Sequence, residues 1–303
     1  MLYSNCVETF TLPSFAKINP YLRVLGKRPD GFHEIFTVFQ TVSLHDDLEF
    51  AEGGEVLLDC SDERIPRDET NLIIRAARML NERGGTGHGA VIRLEKRIPS
   101  PGGLGGGSSN AAVALIGLSR LWKLGASLDD LAPIAADLGS DVPFFLTGGT
   151  AVGTGRGEKI EDAIQISEPH LLIVTPDVSV STAHAYSLLG AQNLTSEALE
   201  SILFVCRSEA KLLDLRHGML RNDIEGAVFK AFPEIGRVRE RLARLGAANV
   251  LMSGSGASVY AVFEKEETRQ TAIKALDDEV NWRTFAVAAV SREEYREKVH
   301  GGL

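Results

Sequence analysis

Pro99-Ser100-Pro101-Gly102-Gly103-Leu104-Gly105-Gly106-Gly107-Ser108-Ser109-Asn110 sets five glycines into six consecutive positions, just ahead of a run of small and apolar residues. Glycine lacks a Cβ, so such a stretch reaches backbone conformations closed to other residues and lets a ligand approach the main chain. The run that follows, Ser108–Trp122, spaces its apolar residues three to four apart and predicts a helix. Unpaired N–H groups and the positive dipole end at a helix N-terminus make an anion site. The segment therefore reads as a phosphate cradle, formed by Pro99, Gly102, Gly103, Leu104, Gly105, Gly106, Gly107, Ser108, Ser109 and Asn110. The plain alternative is a flexible connector between a strand and a helix. The Ser-Ser-Asn at the helix start argues against it, because those groups can hold a phosphate or a metal. Neither of two familiar phosphate loops is present: there is no G-x-x-x-x-G-K-[ST], and the glycine spacing is not G-x-G-x-x-G.

Working outward, Phe15–Leu25, Phe36–Leu44, Val56–Asp59 and Ala90–Arg97 carry the apolar runs or alternation of strands. Ile74–Asn81 has helical spacing, with Asn71 placed to cap it. Past the loop, Ser127–Leu138 reads as a helix capped by Ser127, and Thr150–Gly153 and Leu171–Thr175 read as strands. Beyond Asp177 the texture changes. Helical segments at Ser181–Leu189, Glu197–Val205 and Ile235–Leu245 precede strands at Asn249–Met252 and Ala257–Phe263, a helix near Glu267–Leu276, and a strand at Thr284–Val290. The expected class is α+β, in two closely packed lobes, residues 1–165 and 166–303, with a cleft between them.

A chain of 303 residues, 44% hydrophobic and 24% charged, has ample material for such a core. A net charge of -9 argues against a general nucleic-acid binder, which would show a basic face. It leaves room for an anionic ligand, since a few lysines and oriented N–H groups hold a phosphate inside an acidic protein. Cys6, Cys60 and Cys206 are too few and too scattered for a disulfide framework or a structural zinc site. Met1–Pro13 lacks a secretory or transit pattern, and no apolar run approaches the ~20 residues that span a bilayer. The expectation is a cytoplasmic protein with no membrane partner; nothing in the sequence specifies an oligomeric state.

Four further constellations stand out. Ser14-Phe15-Ala16-Lys17-Ile18-Asn19 puts a lysine inside an apolar strand, either as an edge residue reaching for water or as a positioned cation. Leu138-Gly139-Ser140-Asp141-Val142-Pro143-Phe144-Phe145 holds one acid on a stiff turn. Alone, Asp141 reads as a turn former; paired with Lys17 it becomes a candidate base for a hydroxyl. Pro29-Asp30-Gly31-Phe32-His33 is a turn whose aromatic and histidine can stack on and hydrogen-bond a flat ring. Leu251-Met252-Ser253-Gly254-Ser255-Gly256-Ala257 reads as a tight hairpin, or as a second set of N–H donors for phosphate.

In this order, these segments resemble the GHMP superfamily of small-molecule kinases. P-S-F-A-K-I-N-P-Y-L, G-K-R-P-D-G-F-H, K-R-I-P-S-P-G-G-L-G-G-G-S-S-N-A-A and L-G-S-D-V-P-F-F are similar to the branch whose acceptor carries a cytidine diphosphate group. The likeness runs from about Pro13 to Phe263, and D-G-F-H is its most discriminating part. It implies a two-lobed GHMP kinase fold with a ribosomal-protein-S5-like N-terminal lobe and a ferredoxin-like C-terminal lobe. It implies ATP and Mg²⁺, with Ser108 or Ser109 as candidate metal ligand. It implies that Asp141 and Lys17 are the catalytic pair and that Asn19 touches the substrate. Phe32 and His33 match the cytosine-binding pair, Tyr186 a second aromatic on the base, and Thr182 a residue near the substrate diphosphate. Asn71 and Lys96 fall near the adenine pocket, and Ser253, Gly254 and Ser255 in the second loop, also on the nucleotide. Two positions depart from the pattern: Pro101 stands where Gly or Ala is commoner, and Phe32 where Tyr is frequent. Two other functions compete: a GHMP kinase for an alcohol without a base, and a nucleotide-binding regulator without catalysis. The D-G-F-H turn and Tyr186 speak against the first, the presence of both Lys17 and Asp141 against the second.

Overall fold

The computed structural model describes residues 9–168, 170–190 and 196–301, so Cys6 and most of Met1–Pro13 lie outside the described residues. β1 (Phe10–Lys27) and β2 (His33–Gly53) form one long antiparallel hairpin, registered from Phe10 opposite Phe50 to Lys27 opposite His33. β3 (Val56–Cys60), α1 (Leu72–Gly84) and β4 (Gly89–Glu95) follow, then α2 (Gly106–Leu121), α3 (Leu128–Leu138) and the short α4 (Phe144–Thr147). β5 (Thr150–Thr154) and β6 (Lys159–Asp162) return along the turn end of β2. The strand order is β3-β4-β2-β1, with β5 and β6 extending from the other half of β2. α2 is buried along nearly its whole length against this sheet and α1, which its Ala-, Val- and Leu-rich sequence permits. Gly117 in α2 lies so close to the Phe50 ring that a Cβ there would be 2.4 Å away.

The second unit runs β7 (Leu171–Pro176), α5 (Thr182–Ser187), α6 (Ser196–Lys211), β8 (Arg221–Asn222), α7 (Glu225–Ala231) and α8 (Pro233–Arg244). It continues with β9 (Asn249–Met252), β10 (Val259–Val262), α9 (Glu266–Lys274), β11 (Trp282–Val287) and α10 (Arg292–His300). Its sheet has the order β11-β7-β10-β9, antiparallel throughout, which is the ferredoxin-like arrangement. Ile235, Val238 and Leu242 of α8 pack with Val174, Val259 and Ala261 of the sheet.

The expected strands and helices are present with shifted ends. α2 begins at Gly106 rather than Ser108, because glycine can take the first helical turn as well as the loop. The strand expected to run to Arg97 stops at Glu95, because Lys96 turns inward to Asp46. α4, β6, β8, α7 and α10 have no counterpart in the sequence reading. Two of these cross a division at residue 165. β8 pairs with β1 of the first sheet, and Tyr295 and Val299 of α10 sit in the first core with Phe15 and Phe145. The units thus share structure on both sides of the cleft.

Candidate active site

The glycine loop is anchored from beneath by a buried polar network. Asp46, fully buried, accepts from Lys96 Nζ at 2.5 Å, Arg97 N at 2.7 Å, Ile98 N at 2.8 Å and Asn110 Nδ2 at 2.9 Å. Asn110 Nδ2 also reaches Ser14 Oγ at 2.9 Å, and Ser14 donates to Ser109 Oγ at 2.8 Å. Lys96, Ser109 and Asn110 therefore support the loop from within and do not line the cleft. Gly105 caps α2 at φ +71°, and a Cβ on it would be 2.7 Å from the Phe145 ring. Among the described residues, no backbone N–H from Gly102 to Ser108 has a hydrogen-bond acceptor. They are donors at the positive end of a buried helix.

Two glycine loops meet across the cleft. Ser253 Oγ donates to Gly103 O at 2.9 Å and Ser258 N to Gly102 O at 3.1 Å. Lys17 enters at this junction from the middle of β1, not from a sheet edge; its N donates to Leu104 O at 2.9 Å. The side chain is buried, with Nζ 2.6 Å from Asn19 Oδ1, 3.0 Å from Gly103 O and 3.5 Å from Asp141 Oδ2. Burial lowers the Lys17 pKa and the Asp141 charge works against that shift. Asn19 is held in turn by Thr37, its Nδ2 donating to Oγ1 at 2.8 Å. Asp141 sits on the turn between α3 and α4, its side chain about a third exposed towards the cleft. Thr182 Oγ1 lies 3.2 Å from Ser255 Oγ.

One continuous cleft of about 990 Å³ joins this junction to the D-G-F-H turn. There His33 and Tyr186 stack, ring centres 5.1 Å apart and planes 29° from parallel. Burial, with Lys27 next, lowers the His33 pKa and favours the neutral imidazole. Burial, then the nearby Asp141 charge, raises the Tyr186 phenol. Phe32 stands outermost, 51% exposed, with the Arg156 guanidinium 4.8 Å from its ring centre.

The structure thus brings together Lys17, Asn19, Phe32, His33, Asp141, Thr182, Tyr186, Pro99, Gly102 through Ser108, Gly254 and Ser255 as cleft-lining residues. Ser253 lies just behind, and Asn71 does not face in: its side chain caps α1 through Ile73 N at 2.9 Å and donates to Pro66 O at 2.6 Å. Its neighbour Leu72 lines the cleft instead. Lys27 and Arg156, also lining, were missed. For Arg156 a signal existed, since a lone arginine between Gly155 and Gly157 after a strand is placed by a turn, not by helix or sheet.

Ser108 and Asp141 line the cleft near the loops, as do Ser100, Ser140, Thr182 and Ser255, and among the described residues no group of three or more His, Cys, Asp or Glu is placed to hold a metal. That set fits a cation carried mainly by phosphate oxygens and water.

The family pattern for the GHMP kinases N terminal domain matches residues 71–149, and that for the GHMP kinases C terminal matches residues 207–281. A 4-diphosphocytidyl-2-C-methyl-D-erythritol kinase of Syntrophotalea carbinolica is 38% identical, over 94% of this chain and 100% of its own. One of Solibacter usitatus is 40% identical over 94% of this chain and 90% of its own. This chain belongs to the 4-diphosphocytidyl-2-C-methyl-D-erythritol kinases, within the GHMP kinases. A crystal structure of a 4-(cytidine 5'-diphospho)-2C-methyl-D-erythritol kinase is similar at TM-score 0.72 and 33% identity, covering 92% of this chain and 99% of that one. A Cytophaga hutchinsonii homoserine kinase shares the fold at TM-score 0.68 and 20% identity, covering 96% of this chain and 97% of its own. Among the described residues no helix is long and apolar enough to cross a membrane.

Proposed function

We propose that this kinase transfers the γ-phosphoryl group of ATP to the 2-hydroxyl of 4-diphosphocytidyl-2-C-methyl-D-erythritol, in the non-mevalonate route to isoprenoid precursors, in the cytoplasm. The observation that carries the reading is the Lys17–Asp141 pair, 3.5 Å apart, in one cleft with the unpaired loop N–H groups and the Phe32–His33–Tyr186 cluster. The N–H groups of Gly102–Ser108 bind nucleotide phosphate oxygens. Mg²⁺, when bound, would offset phosphate charge; of the two candidate ligands, Ser108 lines the cleft while Ser109 is buried against Ser14, which favours Ser108. Phosphoryl transfer depends on positioning and charge neutralisation more than on covalent chemistry. Asp141 takes the hydrogen bond and then the proton of the acceptor hydroxyl as the oxygen–phosphorus bond forms and the bond to ADP breaks. Lys17 faces the same point and offsets charge gathering on the phosphoryl oxygens.

At the far end, His33 reads the base edge as a neutral imidazole, while Phe32 and Tyr186 supply flat faces for it. Arg156 beside Phe32 and Lys27 beside His33 suit the acceptor's diphosphate. The test is a panel of acceptors with Mg-ATP, followed by ADP release. The cytidine-linked acceptor should exceed mevalonate and homoserine by orders of magnitude in kcat/KM. Turnover of a base-free alcohol with equal efficiency overturns the assignment of Phe32, His33 and Tyr186. ATP binding without turnover of any acceptor favours a regulatory role.

A further inference from the structure

Arg221-Asn222-Asp223-Ile224-Glu225 lies outside the cleft, yet it is bonded to both units. On the first, Asp223 N donates to Leu22 O at 3.0 Å and Val24 N to Asp223 Oδ2 at 3.0 Å, with Arg221 Nε holding the other carboxylate oxygen at 2.6 Å. On the second, Met252 N donates to Glu225 Oε2 at 2.8 Å. Asn222 sits between, 8% exposed. Its Nδ2 donates to Met252 O at 2.9 Å and to Gly254 O at 2.8 Å, while its Oδ1 accepts from Ile224 N at 3.0 Å. The partners fix the amide's orientation: two carbonyls demand the NH₂ and one N–H demands the oxygen.

The bond to Gly254 O has a consequence on the opposite side of the loop. Across a trans peptide, the carbonyl of one residue and the N–H of the next point in opposite directions. With Gly254 C=O drawn back to Asn222, the N–H of Ser255 faces away from Asn222, and Ser255 itself lines the cleft. Among the described residues, neither that N–H nor the N–H of Gly254 has an acceptor. Gly254 itself, at φ +55°, is wedged so that a Cβ would lie 3.1 Å from Lys17 Nζ and 3.2 Å from both Asn19 Oδ1 and Gly103 O. Gly254, whose carbonyl Asn222 holds, therefore stands beside Lys17.

We propose that Asn222 is a positioning residue: through the Gly254 carbonyl it aims the Ser255 N–H at an oxygen of the phosphoryl group in transfer. This rests on the kinase reading above, but not on the identity of the acceptor. Asn222→Asp keeps the size and the Ile224 contact, yet an ionised carboxylate cannot donate to either carbonyl and repels both. The peptide after Gly254 loses its anchor and the N–H its aim.

The test uses the full-length enzyme with selectively ¹⁵N-labelled serine, and steady-state kinetics on the best acceptor found. In the wild type, saturating Mg-ATP with that acceptor's unreactive deoxy analogue should shift the Ser255 amide resonance. In Asn222→Asp that shift should vanish, and kcat should fall by roughly 10²-fold, the cost of one oxyanion-type donor, with acceptor KM changed less than about twofold. Asn222→Ser, which keeps one donor, should recover part of kcat. The proposal is overturned by an unshifted Ser255 amide in the wild type, or by a kcat loss that tracks only the folded fraction measured by thermal melting. If the wild type prefers a base-free alcohol, the acceptor assignment fails while this comparison still decides the role of Asn222. If it turns over no acceptor, the amide shift with Mg-ATP alone decides it.

Discussion

Replacing Gly103 by alanine adds one methyl group at the place where the two glycine loops touch. Gly103 has φ +71°, and a Cβ on it would lie 2.2 Å from Ser253 O, 2.9 Å from Gly256 O and 3.0 Å from Gly256 N. Carbon and carbonyl oxygen approach to roughly 3.3 Å, so the loops must part by about 1 Å. The atoms in the way are backbone, so no side-chain rotation relieves the clash. The left-handed conformation adds about 1 kcal/mol against any non-glycine residue. Parting also breaks the bonds from Ser253 Oγ and Lys17 Nζ to Gly103 O, at 2.9 Å and 3.0 Å. Each is worth about 1 kcal/mol, more for the charged donor. Loss of stability should total about 3–5 kcal/mol. The kinetic effect is larger in proportion, because a misplacement of about 1 Å at a reacting centre can cost about 10²-fold in rate. Thermal melting and steady-state kinetics on the same preparation separate the two effects. A Gly103→Ala enzyme with wild-type kcat and melting temperature refutes the claim that the loops are locked together around Lys17.

Other outcomes follow from the same geometry. Asp46→Ala leaves Lys96 charged in a buried site, and denaturant titration should show a loss of about 3–5 kcal/mol. Glu34 accepts from Arg28 Nη1 at 2.6 Å and Gly155 N at 3.1 Å, tying the D-G-F-H turn to the turn that carries Arg156. Glu34→Gln should therefore raise KM for the cytidine-linked acceptor about tenfold while leaving KM for ATP unchanged; equal shifts in both would contradict this. Burial depresses the Lys17 pKa, so raising pH removes its proton earlier than from an ordinary lysine. The alkaline limb of kcat should fall below the usual lysine range. Stability moves the other way: over the interval between the folded and unfolded pKa values the unfolded chain holds more protons, so unfolding free energy rises with pH there.

Much of the site was legible because its chemistry is written in short segments. The glycine run, the S-D-V-P turn and D-G-F-H each carry their residue types within a dozen positions, and the fold brings all three to one cleft. Which side of the loop a residue faces was not legible. Ser108 and Ser109 are adjacent in sequence, yet one lines the cleft and the other is buried against Ser14. That depends on helix phase, and the phase was set by a start at Gly106 which glycine's weak helical signal concealed. Lys96 was placed by the resemblance alone; its partner Asp46 lies 50 residues away in sequence, on the paired strand β2. The crossing of β8 and α10 to the first unit was hidden for a related reason. A two-residue strand has no periodicity, and α10 is mostly charged, its hold resting on Tyr295 and Val299.

Whether Asp141 and Lys17 act on a hydroxyl of a cytidine-diphosphate-linked alcohol is decided by product identification by mass spectrometry and phosphorus NMR, after incubating wild type and Asp141→Asn with Mg-ATP and 4-diphosphocytidyl-2-C-methyl-D-erythritol. The wild type should yield one equivalent of ADP and a product bearing one new phosphate on the 2-hydroxyl. The near-isosteric variant should keep its fold and lose roughly 10²–10⁴-fold in rate. No phosphorylated product from the wild type, or an Asp141→Asn enzyme as fast as the wild type, would contradict the account.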